Sequence, residues 1–221
     1  PVNPDLALWL GAVERLYEVG ITQLGAIHRG FSTYNSLHYR NKPKWHLAIE
    51  LQKEFPDLPL IIDPSHICGR RDTLMDVSQT ALDLNYDGFM IETHFDPDNA
   101  WSDAKQQITP AQLDQMTFDL KIRQKSSSKE EFQRKLTMHR KELDFLDNNL
   151  IELLKDRMGI SEQIGRLKHQ ENVAILQSSR WADILATMAE AAEEKGLSKE
   201  FVEEIFKAIH VESINIQRNV K

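Results

Sequence analysis

Leu143, Leu146, Leu150 and Leu153, then Ile160, Ile164 and Leu167, recur in alternating steps of three and four residues. That spacing sets them along one stripe of an α-helix. The surrounding run has no strand alternation and almost no glycine, so it predicts one helix over residues 132–169. A stripe of that length needs a partner surface, because a lone amphipathic helix has little stability in water. Two more helices follow, over residues 178–195 and from Ser198 to about residue 219. Gly196 supplies the stop between them and Ser198 the N-cap. Residues 132–221 therefore read as an all-α domain.

Continuing the three-and-four series places Arg157 in the stripe itself. A guanidinium there is costly unless an anion meets it. Lys168, three turns on, points within about 20° of the same direction at ~100° per residue. Arg140, by the same count, points about 100° away and does not reach the same pocket on a straight helix. Arg180 opens the second helix, and Ser213 and Gln217 sit one turn apart on the third. The set holds no nucleophile–base pair and no metal cluster. It suits a small dianion, although intrahelical salt bridges and a snorkelling arginine would explain single members.

The first half follows another grammar. Apolar runs at 21–30, 59–63 and 87–94 alternate with helical patterns at 5–19, 44–55, 71–84 and 110–121. Strands separated by helices of this length predict a parallel α/β arrangement over residues 1–122. A serine-rich polar stretch, residues 123–131, reads as a linker. Polar residues gather at the C-terminal end of each strand, the functional face of parallel α/β folds. His66, Glu92 and Asp103 there can converge on a divalent metal. Arg29, Arg70 and Arg71 on the same face suit phosphate.

Composition narrows the partners. The net charge of −7 over 221 residues argues against nucleic acid. No apolar run reaches the ~18 residues of a membrane helix, and no signal peptide is visible. A single cysteine, Cys68, excludes a disulfide framework and fits the cytoplasm. The chain opens at Pro1, inside what reads as a motif, so an excerpt of a longer protein is expected.

Two resemblances give these patterns a chemistry. “DPSHICGRRD”, followed by “DGFMIETHFDPDNAWSDAKQQITP”, resembles the C-terminal part of 3-deoxy-D-arabino-heptulosonate 7-phosphate (DAHP) synthase. “PVNPDLALWLGAVERL” and “LGAIHRGFSTY…YRN” are similar to the same family. The resemblance covers about residues 1–122. It implies the last three strands of a (β/α)8 barrel that condenses phosphoenolpyruvate with erythrose 4-phosphate. His66, Glu92 and Asp103 then fall on metal ligands for manganese, iron or zinc, and Arg29 on a phosphoenolpyruvate-binding arginine. The family's cysteine ligand lies near an earlier strand, which leaves Cys68 as a small packed residue. Synthase activity is expected of the full-length protein rather than of this chain alone.

“LTMHRKELDFLDNNLIELLKDRMGISEQIGRLKHQENVAILQSSR” and “IFKAIHVESINIQ” resemble the all-helical class of chorismate mutase. This resemblance covers about residues 132–221. It implies an intertwined homodimer that converts chorismate to prephenate without a cofactor. Arg157 and the partner subunit's Arg140 would grip carboxylates, supported by Arg180 and Ser213. Lys168 and Gln217 would donate to the ether oxygen. Gln177 stands where many members have an acid that contacts the substrate hydroxyl. The expectation is a bifunctional fusion in aromatic amino-acid biosynthesis. The alternative is that the helical domain mainly senses prephenate or chorismate and regulates the synthase.

Overall fold

Leu60, Ile61 and Ile62 form the middle strand of a three-stranded parallel sheet, β1-β2-β3. The strands are β1 (Ala26–His28), β2 (Leu60–Ile62) and β3 (Gly88–Phe89). Ile27 pairs with Ile61, and Ile62 with Phe89. The computed structural model describes residues 3–32, 38–124 and 126–220, so residues 33–37 of the “HRGFSTY…YRN” motif lie outside the described residues. The chain divides into two compact units between Ser127 and Ser128.

In the first unit the helices α1 (Leu6–Glu18), α2 (Trp45–Glu54) and α4 (Leu74–Asp83) alternate with the strands, and α5 (Pro110–Asp119) follows. Their apolar faces bury Trp9, Leu47, Leu51, Leu74 and Val77 with Ala26, Leu60 and Ile62 of the sheet. At ~25 cal/mol per Å2 of apolar area removed from water, this core is the unit's main source of stability. The other sheet face carries Ile27 (39% exposed) and Met90 (46% exposed). Parallel sheets are normally covered on both faces, and among the described residues this face has no covering layer.

The strands are shorter than the runs at 21–30, 59–63 and 87–94, because a strand persists only where a neighbour pairs with it. Beyond Phe89 the backbone leaves the ladder, and Thr93 instead forms an isolated parallel bridge with Ile108. The helix expected over 71–84 starts at Leu74, and a separate short helix, α3 (Pro64–Cys68), precedes it. The Asp63 side chain accepts from the His66 backbone N–H to start α3. Gly69, at φ 64°, ends it; a Cβ there would sit 2.7 Å from Arg40 Cβ.

His28 lies deep in this core, ringed by Trp9, Phe31, Trp45 and Tyr86. Its Nδ1 is 2.6 Å from the Tyr86 hydroxyl. Burial lowers its pKa to about 4, because a charged imidazole would lose its hydration there.

The second unit is three helices: α6 (Glu130–Gln170), α7 (Ser178–Glu194) and α8 (Lys199–Asn219). α8 packs on both α6 and α7. The contact with α8 differs from the leucine stripe. On α6 only Ser161 and Gly165, one turn apart, are buried among the described residues. Gly165 lets α8 approach closely, since a Cβ there would lie 2.9 Å from Gln217 Cα. The stripe is open within one chain, with Leu146 54% and Leu153 65% exposed. The expected burial of that stripe is thus absent in the single chain, and Ile160 and Leu167 beside α8 are also 58% and 62% exposed, because α6 turns Ser161 and Gly165 rather than the stripe toward α8. No helix among the described residues is long and apolar enough to cross a membrane.

Candidate active sites

In the first unit, His66, Glu92 and Asp103 come together. Each offers a ligand atom, and these atoms lie within 4.8 Å of one another. α3 carries His66, whose Nδ1 is 2.7 Å from the buried Asp63 carboxylate. With Nδ1–H donating to Asp63, the Nε2 lone pair is left for the site. Nε2 is 3.7 Å from Glu92 Oε1, beyond a hydrogen bond. The Glu92 backbone N–H donates to the Ser65 hydroxyl, which ties the end of the third strand segment to α3.

A polar chain holds the two carboxylates. Gln106, fully buried, donates to Glu92 Oε2 at 2.7 Å. Arg40 donates to Gln106 Oε1 at 2.7 Å and to Asp103 Oδ1 at 2.9 Å. Arg40 and Gln106 carry no metal-ligand signature, and only the fold brings them to the two carboxylates. The other arginines divide. Arg29 is exposed immediately after β1. Arg70 pairs with Asp72. Arg71 donates to the Gln107 and Ala104 carbonyls and to Asp98. These contacts let Arg71 brace the loop that carries Asp103. Cys68 is buried in α3, and burial raises its thiol pKa, as suits a packed residue.

In the second unit a cavity of about 440 Å3 opens between the three helices. Arg157, Lys168, Gln177, Arg180, Ser213 and Gln217 all line it. Arg140, exposed on the N-terminal part of α6, is not among its lining residues. Arg157 donates to the Ser213 hydroxyl at 2.7 Å, and Ser213 donates to the Ile209 carbonyl at 2.9 Å. Burial pulls the Arg157 pKa below its ordinary value, yet a guanidinium keeps its charge. Lys168 Nζ donates to the Ile175 carbonyl at 2.5 Å, which orients the ammonium at the cavity wall. Gln217 Oε1 is buried without a partner. Ile160, Ile164, Ile175, Ile184 and Ile214 supply the apolar wall.

The lining holds three cations and no carboxylate among the described residues. Such a pocket attracts a small anion, and its apolar walls strengthen each charge. Trp181 and His210 also line it, with rings stacked 4.0 Å apart. Neither was among the sequence candidates, since an aromatic and a histidine on helix faces read as ordinary packing.

The DAHP synthetase I family model matches residues 6–129, more than half of the chain. The Chorismate mutase type II family model matches residues 139–218. A phospho-2-dehydro-3-deoxyheptonate aldolase of Thermotoga maritima is 32% identical over 100 residues, 45% of this chain and 29% of the relative. The T-protein of Haemophilus influenzae is 32% identical over 74 residues, 34% of this chain and 20% of the relative. A solved truncated form of 3-deoxy-D-arabino-heptulosonate 7-phosphate synthase from Thermotoga maritima is 25% identical, with a TM-score of 0.49. That match covers 53% of this chain and 44% of the solved one. The chain spans less than a third of the length of the two curated relatives, 29% and 20%.

Proposed function

We propose, for a chain that belongs to the DAHP synthetase I family and carries a chorismate mutase type II domain behind it, that the helical unit converts chorismate to prephenate. The observation that carries this reading is the convergence of Arg157, Lys168, Arg180, Ser213 and Gln217 on one cavity. Chorismate is a dicarboxylate whose Claisen rearrangement needs neither proton transfer nor a covalent intermediate. A site for it must hold the folded conformer and stabilise negative charge on the breaking ether oxygen.

Arg157 and Arg180 bind carboxylate oxygens in this account, with Ser213 fixing the Arg157 guanidinium. Lys168 and Gln217 donate to the ether oxygen as its bond to carbon lengthens. Gln217 then presents its amide N–H2 to that oxygen. Gln177 hydrogen-bonds the ligand. No cofactor takes part.

Arg140 reaches the site from a second copy of the chain. The exposed stripe Leu143, Leu146, Leu150 and Leu153 supports this, as does Arg140's position outside its own cavity. Two such stripes packed together would bury the surface one chain leaves in water. The test is complementation. Arg140→Ala and Arg157→Ala chains are each inactive in this account. Refolded together, they regain roughly a quarter of wild-type turnover, because half the dimers are mixed and each restores one of two sites. No recovery in verified mixed dimers would contradict a shared site.

The first unit belongs in this reading to a (β/α)8 barrel, whose other strands would cover the face that carries Ile27 and Met90. His66, Glu92 and Asp103 fit a manganese, iron or zinc ion: one imidazole with an oriented Nε2, two carboxylates, and open positions. Such an ion would polarise a substrate carbonyl. Asp63 sets the His66 tautomer, while Arg40 and Gln106 link the Asp103 and Glu92 carboxylates through hydrogen bonds. Arg29 is the phosphate-binding candidate for phosphoenolpyruvate. Condensation with erythrose 4-phosphate is proposed for the complete barrel. The protein is proposed to be cytoplasmic, with no nucleic-acid or membrane partner.

A further inference from the structure

The helical cavity holds a polar atom on His210 that the mutase reading leaves unused. His210 reaches the cavity from α8, and its imidazole stacks on the Trp181 indole of α7. The ring centroids are 4.0 Å apart and the planes 8° from parallel, which fixes the imidazole plane. His210 Nε2 is buried with no hydrogen-bond partner. A buried nitrogen of this kind carries a desolvation penalty until a polar group meets it.

The charges around it define what that group is. Arg157 and Lys168 of α6 and Arg180 of α7 line the same cavity, and no carboxylate does among the described residues. Burial first, then Arg157 and Lys168, push the imidazole pKa down, so the ring is neutral near pH 7. Ligand carboxylates go to the guanidiniums, which bind them in charge-assisted pairs. A neutral imidazole nitrogen held among cations is instead suited to accept from a hydroxyl.

We propose that His210 Nε2 accepts a hydrogen bond from a hydroxyl of the ligand, and so determines specificity for a hydroxylated dicarboxylate. This rests on the reading of the cavity as the chorismate site. Chorismate and prephenate each carry a ring hydroxyl beside two carboxylates; the cavity offers that hydroxyl no carboxylate acceptor, so the Gln177 amide expected to meet it shares the role with His210 Nε2. A site built to pair with a hydroxyl discriminates against the analogue that lacks it.

The test uses the full chain and two probes: prephenate, and the same dicarboxylate without its ring hydroxyl. Binding is measured by calorimetry for wild type, His210→Phe and His210→Gln. His210→Phe keeps an aromatic ring on Trp181 and loses the nitrogen. It should bind prephenate about tenfold more weakly, while its affinity for the deoxy analogue stays within about twofold of wild type. His210→Gln should recover most of the loss. Equal binding of prephenate by His210→Phe, or an equal loss for both probes, would overturn the assignment. Wild type that binds neither probe would remove the chorismate-site reading and this proposal with it. Should His210→Phe fail to fold, 15N-histidine NMR of wild type decides. A His210 Nε2 resonance that moves with prephenate but not with the analogue supports the hydrogen bond, and an unmoved one overturns it.

Discussion

The Arg157 guanidinium donates to the Ser213 hydroxyl at 2.7 Å, joining α6 to α8 at the wall of a cationic cavity. Ser213 donates its own hydrogen bond to the Ile209 carbonyl, so its oxygen lone pairs are left for the arginine. Arg157→Ala removes the charge and should lower chorismate turnover by about a thousandfold. Ser213→Ala leaves the charge but loosens it, and should cost about tenfold, mainly in KM. Steady-state kinetics on variants with wild-type circular dichroism check both values.

Gly165 sets the approach of α8. An added methyl would meet Gln217 Cα at 2.9 Å and Val220 Cγ2 at 3.1 Å, so α8 must shift. Gly165→Ala gains helix propensity of about 1 kcal/mol, but overpacking costs about 1–3 kcal/mol. The variant should melt at or below the wild-type temperature, and it should lose turnover because Gln217 is displaced. Calorimetric melting and kinetics together separate the two effects.

The apolar stripe predicts self-association. Leu146→Asp and Leu150→Asp each place a charge on a surface that two copies would share. Sedimentation should find the wild type dimeric and a Leu146→Asp/Leu150→Asp variant monomeric. Turnover should fall with it, since Arg140 would no longer reach its site.

His28 predicts acid lability in the first unit. Its pKa is about 4 when folded and 6.5 as the ordinary value. The folded state therefore favours the neutral ring. The contribution, about 3 kcal/mol, is full above pH 6.5 and is lost as pH falls toward 4. Denaturant titrations followed by tryptophan fluorescence should lose stability across that window. His28→Phe should flatten the pH dependence, whatever its effect at pH 7.

Asp63 predicts metal affinity through His66. With Nδ1–H held by Asp63 at 2.7 Å, Nε2 is free to ligate. Asp63→Asn removes the carboxylate acceptor, and manganese affinity should fall about 10- to 100-fold. Calorimetry with manganese reads this directly, and unchanged affinity would contradict the ligand assignment.

Much of this was legible in the sequence because the signals were local. The helix at 132–169 is found at 130–170, since its pattern needs no distant partner. The spacing of Arg157 and Lys168 placed both on the cavity, because helical geometry carries direction over three turns. What depends on long-range pairing was harder to read. The strand at 87–94 pairs over only Gly88–Phe89, because its ladder ends where β2 ends. The acceptors of Arg71, Gln107 O and Ala104 O, come from a loop more than thirty residues away, which no local pattern shows. Gly165 gave no warning of its role, since a close helix contact is a property of two helices. Arg40, Gln106, His210 and Trp181 likewise gain meaning only from neighbours the fold brings to them.

The central claim is that the helical unit is a chorismate mutase. The most direct measurement follows the loss of chorismate absorbance with the purified chain in the presence of a metal chelator. Turnover to prephenate that survives the chelator and disappears in a folded Arg157→Ala chain is the predicted result. A chain that binds prephenate but leaves chorismate unchanged would contradict the account and make the helical unit a sensor.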